Sequence, residues 1–251
     1  MADRLFEEIA RAQGDHPWGA VLDAGAGIHS LRWLSALPTE RIVGVTASSF
    51  ASTQMETALS GRWRGQDQLV VGNWTDPTLL AGQRFETVLA DYLLGAVDGH
   101  APYFQDRLFP RLRPHVAGRL YVVGLEPFPD GADTEAGRIV LEIARLRDAC
   151  ILLAGHRCYR EYPRAWVERA LEAAGFTVTR SWSLPIIFRE RYVNGQLDVC
   201  VNKLPLLRDR ALAETLKAHI EALRSRALEV VKARDGLRFG ADYVVVAEPA
   251  G

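Results

Sequence analysis

Ala20-Val21-Leu22-Asp23-Ala24-Gly25-Ala26-Gly27-Ile28-His29-Ser30-Leu31-Arg32-Trp33-Leu34 is the stretch on which the reading of the chain turns. Ala20, Val21 and Leu22 read as a short buried strand, and the residues from Ile28 onward carry helical spacing. A strand that passes within a few residues into a helix aims the helix's free N–H groups at the turn. Gly25 and Gly27 allow a sharp turn and a close ligand approach. The pattern is Asp-x-Gly-x-Gly. A hydride-transfer dinucleotide site calls for Gly-x-Gly-x-x-Gly, and position 30 is serine. An acid at the strand's end suits a cationic or amine-bearing ligand better than a pyrophosphate. The same glycines also fit an ordinary βα turn, so the rest of the chain has to decide.

Leu22-Asp23-Ala24-Gly25-Ala26-Gly27 resembles the first motif of the class I S-adenosylmethionine-dependent methyltransferases, with His29 where the family usually has its third glycine. The resemblance implies a doubly wound, Rossmann-like α/β sheet, mostly parallel with an antiparallel last strand, and S-adenosylmethionine as cofactor.

The bulk properties narrow the class. A chain of 251 residues can bury a sizeable core without disulfides or metals. It carries 30 Lys and Arg against 31 Asp and Glu, a net charge of −1 that gives no broad attraction to phosphate backbones and speaks against nucleic acid. Cys150, Cys158 and Cys200 have no Cys-x-x-Cys spacing and read as reduced thiols of a cytoplasmic protein. The N-terminus does not read as a secretory signal, and no stretch has the ~18 apolar residues of a membrane span.

Along the chain, residues 3–13 predict a helix within a leading segment 1–17, which in the resembling family packs over the cofactor. Strands are expected at 20–22, 41–46, 68–72, 85–91, 118–125, 176–182 and 240–248, with helices between them at 28–37, 49–61, 103–112, 133–154 and 163–174. This alternation predicts a parallel sheet with helices on both faces and a ligand site at the strands' carboxyl ends. The chain reads as one domain, 1–251, with helical insertions at 128–162 and 185–238. The second holds a long helix from about Asp209 to Arg234 with a stripe of Leu212, Leu216, Ile220, Leu223, Ala227 and Val231. A cap over the substrate, a homodimer surface and a helix packed on the sheet all fit it.

The residues after each strand are the informative ones. The resemblance assigns Asp23, Ala24, Gly25, Ala26 and Gly27 to the cofactor's methionine end, with Asp23 near its amino group. It assigns Thr46, with Ser48, to the ribose, although the family usually has an acid at that point. Asn73 and Trp74 fall where the family meets the adenine, but they also suit a helix cap before Thr75-Asp76-Pro77. Asp91 and Tyr92 would stand beside the transferred methyl. The acids Asp91 and Glu126 are too few to argue for a metal.

Methyl transfer is an in-line displacement that leaves a neutral thioether, so alignment matters most and a base is needed only if the nucleophile arrives protonated. His100 is the candidate base, and His156 and Tyr159 are candidates for contact with the acceptor, although a lone histidine is more often structural. The apolar residues Trp182, Ile186, Ile187, Phe188 and Tyr192 suit a small aromatic or lipid-like acceptor, and an ordinary core equally. A non-catalytic or regulatory S-adenosylmethionine-binding protein on the same fold is the alternative. An oxidoreductase would want Gly at position 30 and an acid near 46, and an aminopropyltransferase would want a denser acidic site.

Overall fold

The structure, a computed structural model, describes residues 4–251. Residues 1–3, which begin the expected N-terminal segment, lie outside the described residues. The chain forms two compact units: Met1–Glu126 with Tyr159–Leu184 and Asp242–Gly251, and Pro127–Cys158 with Pro185–Ala241.

The first unit holds most of a seven-stranded sheet. Its strands are β1 (Ala20–Asp23), β2 (Arg41–Thr46), β3 (Gln68–Val71), β4 (Phe85–Asp91), β5 (Val116–Leu125), β6 (Phe176–Phe188) and β7 (Leu237–Pro249), in the order β3-β2-β1-β4-β5-β7-β6. β1 to β5 pair in parallel, and β7 runs antiparallel to β5 with Val122 opposite Val245. The helices of this unit are α1 (Arg4–Gln13), α2 (Ile28–Leu34), α3 (Ser49–Ala58), α4 (Leu93–Ala96), α5 (Gln105–Leu112) and α7 (Arg164–Ala173).

Strand periodicity sorts the sheet's side chains onto two faces. Leu22, Val88, Ala90, Leu120, Val122 and Val245 join one core, against Leu108 and Phe109 of α5 and Val167 and Leu171 of α7. Their neighbours Val21, Leu89, Tyr121, Val123, Val244 and Val246 join the other, against Phe6 and Ile9 of α1, Leu31 and Leu34 of α2, and Met55 of α3. With both faces covered, the central strands are predominantly apolar, and Asp23 at the end of β1 and Thr87 in β4 are buried polar exceptions.

The second unit is helical: α6 (Glu135–Leu153), α8 (Glu190–Lys203) and α9 (Arg210–Arg234). Its core gathers Ile139, Val140 and Ile143 of α6, Val193 and Leu197 of α8, and Ile220, Leu223 and Ala227 of α9. Caps set the helix starts: Thr134 accepts from the Gly137 N–H at 3.1 Å and Asp209 from the Leu212 N–H at 3.0 Å.

Three local expectations are corrected. The sixth strand runs on past Trp182 to Phe188, so β6, like β7, carries the chain from one unit to the other. The helix expected from Tyr103 begins at Gln105, because Tyr103 has a positive φ of 64°. A short helix, α4, followed by a 3₁₀ turn at Val97–Gly99, occupies residues that the apolar run after β4 had left unassigned.

Candidate functional site

The glycine loop is stitched to both strands flanking β1. The Ala24 N–H donates to Leu89 O of β4 and the Ala26 N–H to Val45 O of β2, each at 2.8 Å. Its approach to β2 needs Gly44, where an added Cβ would stand 3.1 Å from the Ala26 Cβ and 3.0 Å from Leu69 Cδ1. Gly25 and Gly27 are not there for a left-handed turn, since neither has a positive φ. Gly25 instead fits tightly under Leu93, whose Cβ would lie 3.1 Å from an added methyl.

Beside this loop lies a cleft of about 400 Å³ at the carboxyl ends of the strands. Residues 24–26 line it after β1, residues 46–48 at the end of β2, residues 72–74 after β3, and Leu93, Ala96 and Val97 after β4, with His100 and Tyr159 beside them. The titratable side chains of this lining are His100 and Tyr159.

Asp23 is buried just beneath the lining. Ser30 Oγ donates to its Oδ2 at 2.6 Å, while Oδ1 is buried without a hydrogen-bond partner. Burial pushes the carboxyl up to about 7, against the opposing pull of Ser30 and of the nearby Gly25 and Gly27 amides, which make no hydrogen bond to Oδ1. A carboxylate in such a place favours a ligand bearing positive charge nearby.

The hydroxyl and amide groups expected to face a ligand are largely engaged already. Ser48 Oγ caps α3 by accepting from the Ala51 N–H, and Thr46 Oγ1 accepts from the Ser48 N–H at 3.3 Å. Asn73 Oδ1 accepts from both the N–H and the hydroxyl of Thr75, and its Nδ2 donates to His100 O at 2.9 Å. Asn73 therefore works first as a cap and as an anchor for the His100 backbone. Trp74 is buried, and its Nε1 donates to Ala24 O at 2.7 Å.

Asp91 ends β4 and Tyr92 caps α4, but neither is part of the cleft lining, which continues instead through Leu93, Ala96 and Val97. Tyr92 holds a left-handed φ of 48° and its N–H donates to Val123 O. Of the two acceptor candidates, Tyr159 lines the cleft and His156 does not; His156 belongs to the second unit, with its Nδ1 2.8 Å from Lys203 Nζ. Residues 159–162 are held in place by several contacts. The Arg160 guanidinium lies 3.6 Å from the buried Asp98, the Glu161 carboxylate packs where a Gly95 Cβ would be, and the Tyr243 hydroxyl donates to Tyr162 O at 3.0 Å. Sequence reasoning missed Val45, Ala47, Ala51, Gly72, Leu93, Ala96 and Val97; position at a strand end was the available signal for Val45, Ala47 and Gly72, whereas Ala51 lies in α3 and Leu93, Ala96 and Val97 lie in α4 and the turn after it.

Among the described residues no group of three or more His, Cys, Asp or Glu is placed to hold a metal ion, and no helix is long and apolar enough to cross a membrane.

The fold is that of the class I S-adenosylmethionine-dependent methyltransferases. A candidate methyltransferase from Bacillus halodurans C-125 superposes with a TM-score of 0.61 at 14% identity, over 98% of this chain and 99% of that one. The mycolic acid cyclopropane synthase CmaA1, in complex with S-adenosylhomocysteine, gives 0.55 at 16% identity, over 96% and 84% of the two chains. The [4+2]-cyclase SpnF gives 0.57 at 16% identity, over 99% and 81%. No protein-family model and no curated protein sequence matches the chain.

Proposed function

We propose that this protein binds S-adenosylmethionine in the cleft beside the Asp-x-Gly-x-Gly loop and transfers its methyl group to a small aromatic or lipid-like acceptor. The observation that carries this reading is the buried Asp23 carboxyl, with Oδ1 unpartnered, under a loop that lines a cleft of about 400 Å³. That combination fits a ligand carrying an ammonium and a sulfonium, and the cleft is large enough for a nucleoside. When bound, the cofactor supplies a methyl on positively charged sulfur that an acceptor displaces in line.

The chain's own part is to bind and align. The loop backbone at residues 24–26 is fixed by β2 and β4 and offers a rigid wall for the methionine end. Thr46 and Ser48 stand at the ribose position, and the residues 72–74 and Val97 offer a mostly apolar slot for a base. His100 is exposed at the cleft and takes the acceptor's proton where the acceptor arrives protonated. Tyr159 offers an aromatic face to the acceptor.

The helical insertions are read as a homodimer surface. Exposed Leu152 and Leu153 at the end of α6, with Val201 and Leu206 around the end of α8, are apolar groups that a partner copy would cover. Sedimentation of the purified protein distinguishes a 27.8 kDa monomer from its dimer.

Calorimetric titration with S-adenosylmethionine, S-adenosylhomocysteine and NADH tests the cofactor. Binding of both sulfur nucleosides, lost in Asp23→Ala, is expected; binding of NADH alone, or of nothing, overturns the reading. Formation of S-adenosylhomocysteine in a screen of small acceptors then tests turnover, and cofactor binding without turnover on any acceptor leaves a regulatory binder on the same fold.

A further inference from the structure

We propose that Ser30 is a positioning residue for the cofactor loop: its hydroxyl couples the Gly27 backbone to the Asp23 side chain and holds that carboxylate with one oxygen left over for positive charge. The inference rests on the cofactor reading above and adds to it a residue that the glycine motif does not include.

Ser30 sits in the first turn of α2 and is 1% exposed. A hydroxyl has one hydrogen to give and lone pairs to receive with. Ser30 Oγ accepts from the Gly27 N–H at 3.1 Å. Its hydrogen has two oxygens in reach, Asp23 Oδ2 at 2.6 Å and Gly27 O at 3.0 Å. The shorter contact, to a group that can carry charge, is the stronger one. The hydroxyl thus links the end of β1 to the start of α2 on either side of the glycines.

Among the groups around Asp23, this link is the side-chain hydrogen bond that opposes burial in its ionisation. β2 and β4 place Gly44 and Leu89 opposite it, neither of which titrates. The loop contributes only the Gly25 and Gly27 amides. α2 contributes Ser30, and His29 beside it is exposed. No charged side chain is among the causes that move the carboxyl, which burial holds near 7. A hydrogen bond to the ionised form favours that form, so loss of the hydroxyl pushes the carboxyl further up and withdraws negative charge from beneath the loop at neutral pH.

The test compares wild type, Ser30→Ala and Ser30→Thr by calorimetric titration with S-adenosylhomocysteine from pH 5.5 to 8.5, and by carbon NMR titration of the Asp23 carboxyl in the ligand-free proteins. In wild type the affinity is expected to fall by about tenfold per pH unit below the carboxyl's midpoint. Ser30→Ala is expected to move that midpoint to higher pH in both measurements and to weaken binding at pH 7 about tenfold, and Ser30→Thr, which restores a hydroxyl, to move both back toward wild type. A Ser30→Ala protein that melts earlier but keeps the wild-type midpoint has lost only a structural bond, and that result overturns the proposal. If wild type binds no S-adenosylhomocysteine at any pH, the cofactor reading fails on its own; the NMR midpoint then still decides whether Ser30 governs Asp23.

Discussion

The indole N–H of Trp74 donates to the carbonyl oxygen of Ala24 at 2.7 Å, joining the exit of β3 to the glycine loop across 50 positions of sequence. The Arg111 guanidinium lies over the same ring, 5.5 Å from its centre, and His115 packs 5.8 Å away. Trp74→Phe keeps an aromatic ring in the cleft wall but removes the donor. A lost hydrogen bond to a buried carbonyl costs roughly 1–3 kcal/mol. We expect the variant to fold, to melt a few degrees lower, and to bind S-adenosylhomocysteine about tenfold more weakly by calorimetry. Unchanged affinity would make Trp74 a wall residue and nothing more.

Asp23 sets a pH dependence of stability whose sign runs opposite to the usual carboxylate. Its folded value, about 7, lies above the ordinary aspartate value of 3.8, so the folded chain binds the extra proton between those limits. Stability from this group is therefore present at low pH and is lost as pH rises from about 4 to 7. Asp23→Asn removes the charge while keeping an oxygen for Ser30. At pH 8 the ligand-free variant should be more stable than wild type, by up to roughly 4 kcal/mol, and should bind S-adenosylhomocysteine far less well. Melting curves at pH 5 and pH 8 measure the first effect, since the difference between the proteins should shrink at the lower pH.

Gly124 has the Tyr243 ring against it, and an added Cβ would stand 2.2 Å from the phenol oxygen. Burial raises the Tyr243 hydroxyl above its ordinary range, so it stays protonated and donates to Tyr162 O. Gly124→Ala forces the ring aside and loosens residues 159–162. Overpacking of this kind costs about 1–3 kcal/mol, which thermal unfolding should register. Tyr243→Phe should cost less, because the ring keeps its place.

Tyr159 is 58% exposed although it lines the cleft. Removing so exposed a side chain should change stability by no more than about 0.5 kcal/mol. Tyr159→Ala is therefore expected to keep the wild-type melting temperature while raising the acceptor KM. An unaltered KM across the acceptors that wild type methylates would remove Tyr159 from the acceptor site.

His100→Gln separates binding from proton transfer. The His100 backbone stays anchored through Asn73, whichever side chain it carries. We expect S-adenosylhomocysteine affinity to hold while kcat falls on acceptors that arrive protonated. An unchanged kcat in the variant would assign the proton to solvent.

The sequence by itself determined the layered architecture. Apolar runs such as Phe85–Asp91 come out as strands with the expected bounds, and the stripe on Arg210–Arg234 as a helix, because burial on one or two faces writes its period directly into neighbouring residues. It also placed the loop at 23–27 and the strand ends that surround the cleft. Only the tertiary structure decided what the side chains there do. Asn73 offers the same amide to a ligand or to Thr75, and its choice depends on a turn that no periodicity records. Trp74 meets Ala24, and Tyr159 reaches the cleft where His156 does not, through packing between segments far apart in the chain. Asp23 and Ser30 are seven residues apart, yet their contact needs the turn at Gly25–Gly27 to bring α2 back over the end of β1. Local pattern fixes the elements; which polar group meets which is settled by distances that exist only once the elements have packed.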